Sequence, residues 1–168
     1  NTYRYLARYP NEVSYDTIEV IEVGKMVRER TSYGDIVLNN WNQATTTLFH
    51  VFEYASARRS EVLGASVEEF QQGLAKARQY RAIILGLPDT NPTPPLLKNI
   101  KTLQEHREHI LSTAREPSAV RIFALLKLNA SLDQEAQLLQ EYLLRRFPFE
   151  ALDGDWVLFN LDKAVKGE

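Results

Sequence analysis

The chain contains no cysteine. That excludes a disulfide framework, a thiolate zinc site and a cysteine nucleophile, and it suits the cytoplasm or another reducing compartment. Charge of one sign is missing too. Twenty basic and 22 acidic residues leave a formal net charge of −2, so the molecule as a whole is no polybasic binder of nucleic acid or membrane, although a local basic face stays open. No apolar run approaches the ~18 residues needed to span a bilayer, and no signal-peptide pattern opens the chain; no membrane partner is expected. Glycine is sparse and scattered, 7 in 168 residues. There is no glycine-rich phosphate loop or dinucleotide fingerprint and no Gly-x-Ser-x-Gly elbow, so no cofactor is expected.

What is present is ordinary for a globular protein: 44% hydrophobic and 25% charged residues. The length suits one domain with a real core, residues 1–168. The first residue is Asn1 rather than methionine, as expected of a processed, trimmed or partial chain.

Residues 1–13 place Tyr3, Tyr5 and Tyr9 at even spacings, the pattern of an extended arm with one sticky face. It docks on its own domain or on a neighbour. A first helix is expected from Ser14 or Asp16, although its β-branched Ile18, Val20, Ile21 and Val23 also suit a strand. Residues 31–35, TSYGD, read as a turn. A second helix is expected from about Asp35 to Ser60, because Trp41, Ala44, Leu48, Phe52 and Ala55 share one helical face. Ser66 and Glu69 have capping-box spacing and open a third helix, striped by Phe70, Leu74, Ala77 and Ile84. Residues 86–95 hold four prolines and read as a stiff connector. A fourth helix is expected from about Pro94 to Arg115, and a shorter central one over residues 118–128, SAVRIFALLKL. Ser131 and Gln134 open a last helix that Pro148 ends. Residues 153–161 make a turn and then an apolar run that suits a strand, within a C-terminal strand or docking tail over 152–168. The expected fold is therefore mostly α: a bundle of about five to six helices with short extended ends.

The stretch LQEHREHIL, residues 103–111, looks like chemistry. On the fourth helix, however, Glu105, Glu108 and His109 fall opposite the apolar stripe, His106 on its flank and Arg107 at its centre. A metal site would need His50 and Glu53 of the second helix to join Glu105 and His109. These pairs point outward, so a solvated charged face is the stronger reading.

Arginine on the apolar side recurs at Arg59, Arg81 and Arg146. Helix-end electrostatics, buried ion pairs and a seam for an anionic partner all account for it. With Arg58, Lys76, Arg78, Lys98, Lys101, Arg107 and Arg145 these residues make a basic middle, and Tyr80, Tyr142 and Phe147 offer stacking faces. Trp156 and Phe159, with the three arm tyrosines, are candidate protein-binding residues. The functional expectation is a non-catalytic helical assembly or interaction subunit of a larger complex, such as a nucleoprotein, working by self-association or with other subunits. The alternatives are a sequence-independent binder of RNA or single-stranded DNA backbone, as in helical coats and small effector-complex subunits, and a metal-dependent enzyme.

Overall fold

The computed structural model describes residues 15–41, 46–85, 120–130 and 133–163. Among these residues helices and strands alternate: α1 (Tyr15–Arg30), β1 (Ile36–Asn39), α2 (Thr46–Ser56), β2 (Arg59–Val62), α3 (Val67–Leu85), β3 (Ile122–Lys127), α4 (Gln134–Arg146), β4 (Phe149–Ala151) and β5 (Trp156–Asn160). The strands form one mixed sheet in the order β2-β1-β3-β5-β4. β1 runs parallel to β2 and β3. β5 runs antiparallel to β3 and β4. The fold is α/β, and the expected multi-helix bundle is wrong.

Two segments account for the difference. The expected helix over 35–60 is three elements, β1, α2 and β2, and the expected helix over 118–128 is β3. In both cases a short run of apolar residues is buried on both faces. Ile36, Val37, Leu38 and Asn39 are all buried, and so are Ile122 to Leu125. Such runs lack the alternation of a half-exposed strand, and periodicity alone does not separate them from a buried helix. Of the expected stripe, Leu48, Phe52 and Ala55 lie on α2, which is far shorter than the window it was read in; Trp41 precedes α2 and Ala44 lies outside the described residues.

Strand pleating sorts the core into two layers. Ile36, Leu38, Ile122, Ala124, Val157 and Phe159 face α3 and α4. Val37, Phe123, Leu125 and Leu158 face α1 and α2. Each fully buried large side chain contributes about 1.5–3 kcal/mol. α3 crosses β2 at Gly73, where a Cβ would collide with the Val62 carbonyl oxygen.

Helix ends follow local chemistry. Ser66 Oγ accepts from the Glu69 amide at 3.2 Å, and the Glu69 carboxylate accepts from the Ala65 amide at 2.7 Å. α4 is capped by Asp133 rather than Ser131, its carboxylate accepting from the Ala136 amide at 2.8 Å.

The carboxyl ends of β1 and β3 are closed by an aromatic cluster. Trp41 lies 4.8 Å from both Phe52 and Trp156. Glu19 accepts from Lys127 Nζ at 2.8 Å and from the Trp156 indole at 2.9 Å. Those bonds, led by the one from Lys127, hold the Glu19 carboxyl below its ordinary pKa.

Candidate functional site: a cavity at the amino ends of β1 and β2

At the opposite end of the sheet lies a cavity of about 270 Å³, lined by Tyr33, Gly34, Glu53, Ala57, Arg58, Arg59 and Tyr80. Four elements build it. The turn after α1 supplies Tyr33 and Gly34, and Gly34 takes φ +96°. The last turn of α2 supplies Glu53. The step into β2 supplies Ala57, at φ +52°, followed by the two arginines. The carboxyl half of α3 supplies Tyr80. A non-glycine residue in the left-handed region costs of order 1 kcal/mol, and such positions cluster at functional sites.

Arg58 is structural. It is 8% exposed, and its Nε donates to Thr31 Oγ1 at 2.8 Å. Its two Nη atoms donate to the carbonyls of Ala57, Arg28 and Thr31 at 2.9–3.2 Å. It thereby satisfies carbonyls at the end of α1 that no helical amide reaches. Burial lowers its pKa from the ordinary arginine value; the group stays charged at any physiological pH. Beside it Asp35, 0% exposed, accepts from the amides of Ser32 and Arg121 and from the Arg121 guanidinium.

Arg59 is different. Its Nε donates to Glu61 at 3.2 Å, and its guanidinium carbon lies 3.8 Å over the centre of the Tyr80 ring. Tyr80 is 3% exposed, and among the described residues its hydroxyl makes no well-formed hydrogen bond. Burial pushes this phenol above its usual pKa, with the Arg59 charge and the hydrogen-bonding reach of the Arg59 side chain pulling against the shift. Glu53 is half-buried, and no hydrogen bond or ion pair to its carboxylate is formed among the described residues. Burial raises its pKa, opposed by the charges of His50 and Arg59. Among the described residues, the cavity therefore presents a phenol without a well-formed hydrogen bond and an underserved carboxyl, on walls that also carry two arginines.

The other expected site residues scatter. Lys76 and Arg78 are exposed on α3, Arg145 and Arg146 on α4. Arg81 is ion-paired with Asp162, and Arg146 sits 4.6 Å over the Tyr142 ring. Arg59 is on no helix, so its place on a helical stripe was an artefact of the misread segment. Tyr80 is buried, while Tyr142 and Phe147 pack edge-on to Phe70, so these rings are engaged within the chain. Phe159 is fully buried in the core and Trp156 packs on Trp41. His50 is exposed on α2, one turn from Glu53, and no group of three metal-ligating side chains occurs among the described residues. Tyr3, Tyr5, Tyr9, Lys98, Lys101, Glu105, His106, Arg107 and His109 lie outside the described residues, as do the arm, the connector and the expected fourth helix.

Tyr33, Gly34 and Ala57 were not singled out by sequence reasoning. The one available signal was SYGD, whose glycine marks a turn needing positive φ. No helix among the described residues is long and apolar enough to cross a membrane. Compared with protein family models, with curated proteins and with solved structures, the chain gives no significant match in any of the three.

Proposed function

We propose that the chain is a non-catalytic α/β binding module of a larger complex, and that the cavity at the amino ends of β1 and β2 receives its ligand. The observation that carries this reading is the Tyr80 hydroxyl. Burying a hydroxyl without a partner costs about 1–3 kcal/mol, and a bound polar group would recover that cost. The neighbouring left-handed Ala57 and the Arg59 guanidinium over the Tyr80 ring support the same reading. The test is a thermal-shift screen of small amino acids, sugars, nucleotides and carboxylic acids. A ligand whose stabilisation of the wild type is lost in Arg59→Ala supports the module. A screen without any Arg59-dependent shift rejects it.

A second reading keeps the nucleic-acid alternative in narrower form. α3 and α4 cover the same face of the sheet, and Lys76, Arg78, Arg145 and Arg146 are exposed on them. A phosphate backbone would engage these cations with steep salt dependence. The double variant Arg78→Glu, Arg145→Glu should weaken binding to single-stranded RNA at low salt; unchanged binding removes this reading.

A further inference from the structure

Resting on the cavity as a ligand site, we infer that it takes a small zwitterion: a free amino acid or a similar compound carrying both a carboxylate and a protonated amine. The argument is one of charge complement. A purely anionic ligand would meet the Glu53 carboxyl. A purely cationic one would meet Arg58 and Arg59. A molecule with both charges answers each wall.

The anion half falls to Arg59 and Tyr80. Glu61 occupies Nε of Arg59 at 3.2 Å and the Tyr80 ring lies against the guanidinium, which leaves the fork of terminal nitrogens for a planar carboxylate. The Tyr80 hydroxyl, buried and without a well-formed hydrogen bond among the described residues, has a proton to donate to the same group. Arg58 adds field rather than contact, since its four hydrogen bonds all go to Thr31, Ala57 and Arg28. The cation half falls to Glu53, whose carboxylate is half-buried and without a hydrogen bond among the described residues. A cavity of about 270 Å³ is at the small end of ligand pockets and matches an amino acid better than a nucleotide. Tyr33, partly exposed at 37%, supplies an apolar wall for the side chain.

The experiment is isothermal titration of the full chain with L-alanine, L-glutamine and L-phenylalanine. N-acetyl-L-glutamine and L-glutamine amide serve as probes that remove one charge each. At least one free amino acid should bind, and each blocked analogue should bind about tenfold more weakly or worse, the scale of one lost charge-assisted hydrogen bond. Glu53→Gln should weaken the free amino acid and L-glutamine amide, both of which keep the protonated amine, and leave the N-acetyl compound unchanged. Tyr80→Phe, which keeps the ring under Arg59, should weaken the free amino acid and the N-acetyl compound alike. Equal binding of free and N-acetylated forms would overturn the zwitterion. So would binding of a sugar or nucleotide in an Arg59-dependent way with no response to any amino acid, and in that outcome the ligand site itself survives. No Arg59-dependent ligand of any class would overturn both.

Discussion

The guanidinium of Arg59 lies 3.8 Å over the ring of Tyr80, and the hydroxyl of that ring, buried beside it, makes no well-formed hydrogen bond among the described residues. The two facts belong together. The cation–π contact holds a charged fork at the cavity wall, worth about 0.5–2 kcal/mol, while the phenol is kept where it costs stability.

The first prediction follows. Tyr80→Phe should leave the stability of the ligand-free protein unchanged or raise it by up to about 1 kcal/mol, because it removes an unsatisfied buried hydroxyl and keeps the ring. Urea denaturation reads this directly. A loss greater than about 1 kcal/mol would mean the hydroxyl has a partner.

Arg58 gives the opposite result. Its side chain makes four hydrogen bonds, and three of them tie the end of α1 to the start of β2. Arg58→Ala leaves buried carbonyls unanswered and should cost about 3 kcal/mol or more. Arg58→Lys should recover less than half, since one ammonium cannot span the fork. A fully stable alanine variant by denaturant titration would remove the structural role assigned to Arg58.

Glu53 should make stability pH-dependent with a definite sign. Its folded pKa lies above the ordinary 4.5 because burial disfavours the carboxylate. The stability this contributes is complete below 4.5 and is lost as pH rises through the elevated folded value. Glu53→Gln has no such titration. The melting temperature of the variant relative to wild type should therefore climb as pH increases across that window. A difference that is flat, or that shrinks with rising pH, contradicts the placement of Glu53.

Gly73 separates helix propensity from packing. In an exposed helix, glycine to alanine gains about 1 kcal/mol. Here the new methyl would strike the Val62 carbonyl, a backbone atom that cannot rotate away. Gly73→Ala should destabilise, by about 1–3 kcal/mol as for other overpacked sites. Stabilisation would show that α3 and β2 are further apart than described.

Some features were legible in the residues alone. Ser66 and Glu69 marked the start of α3, and the Phe70–Leu74–Ala77 stripe gave its buried face, because one helix carries its own period and capping chemistry. The turn at residues 31–35 was written in Gly34. The class of the fold was not legible. SAVRIFALLKL and DIVLN are apolar without alternation, and only neighbouring strands on both sides make them strands. Reading them as helix turned an α/β protein into a bundle and set Arg59 on a face it does not occupy.

The amino-acid order by itself determined where α3 begins, which of its sides is apolar, and that disulfide and thiolate chemistry is excluded, since these depend on residues within a turn or two of each other or on composition. The tertiary structure alone decided that Tyr33, Glu53, Arg59 and Tyr80 share one cavity, because they come from four separate segments. The parallel pairing of β1 with β2 brings two of those segments together at one edge of the sheet, and α3 lays Tyr80 against them. No local pattern carries a contact whose partners are tens of residues apart.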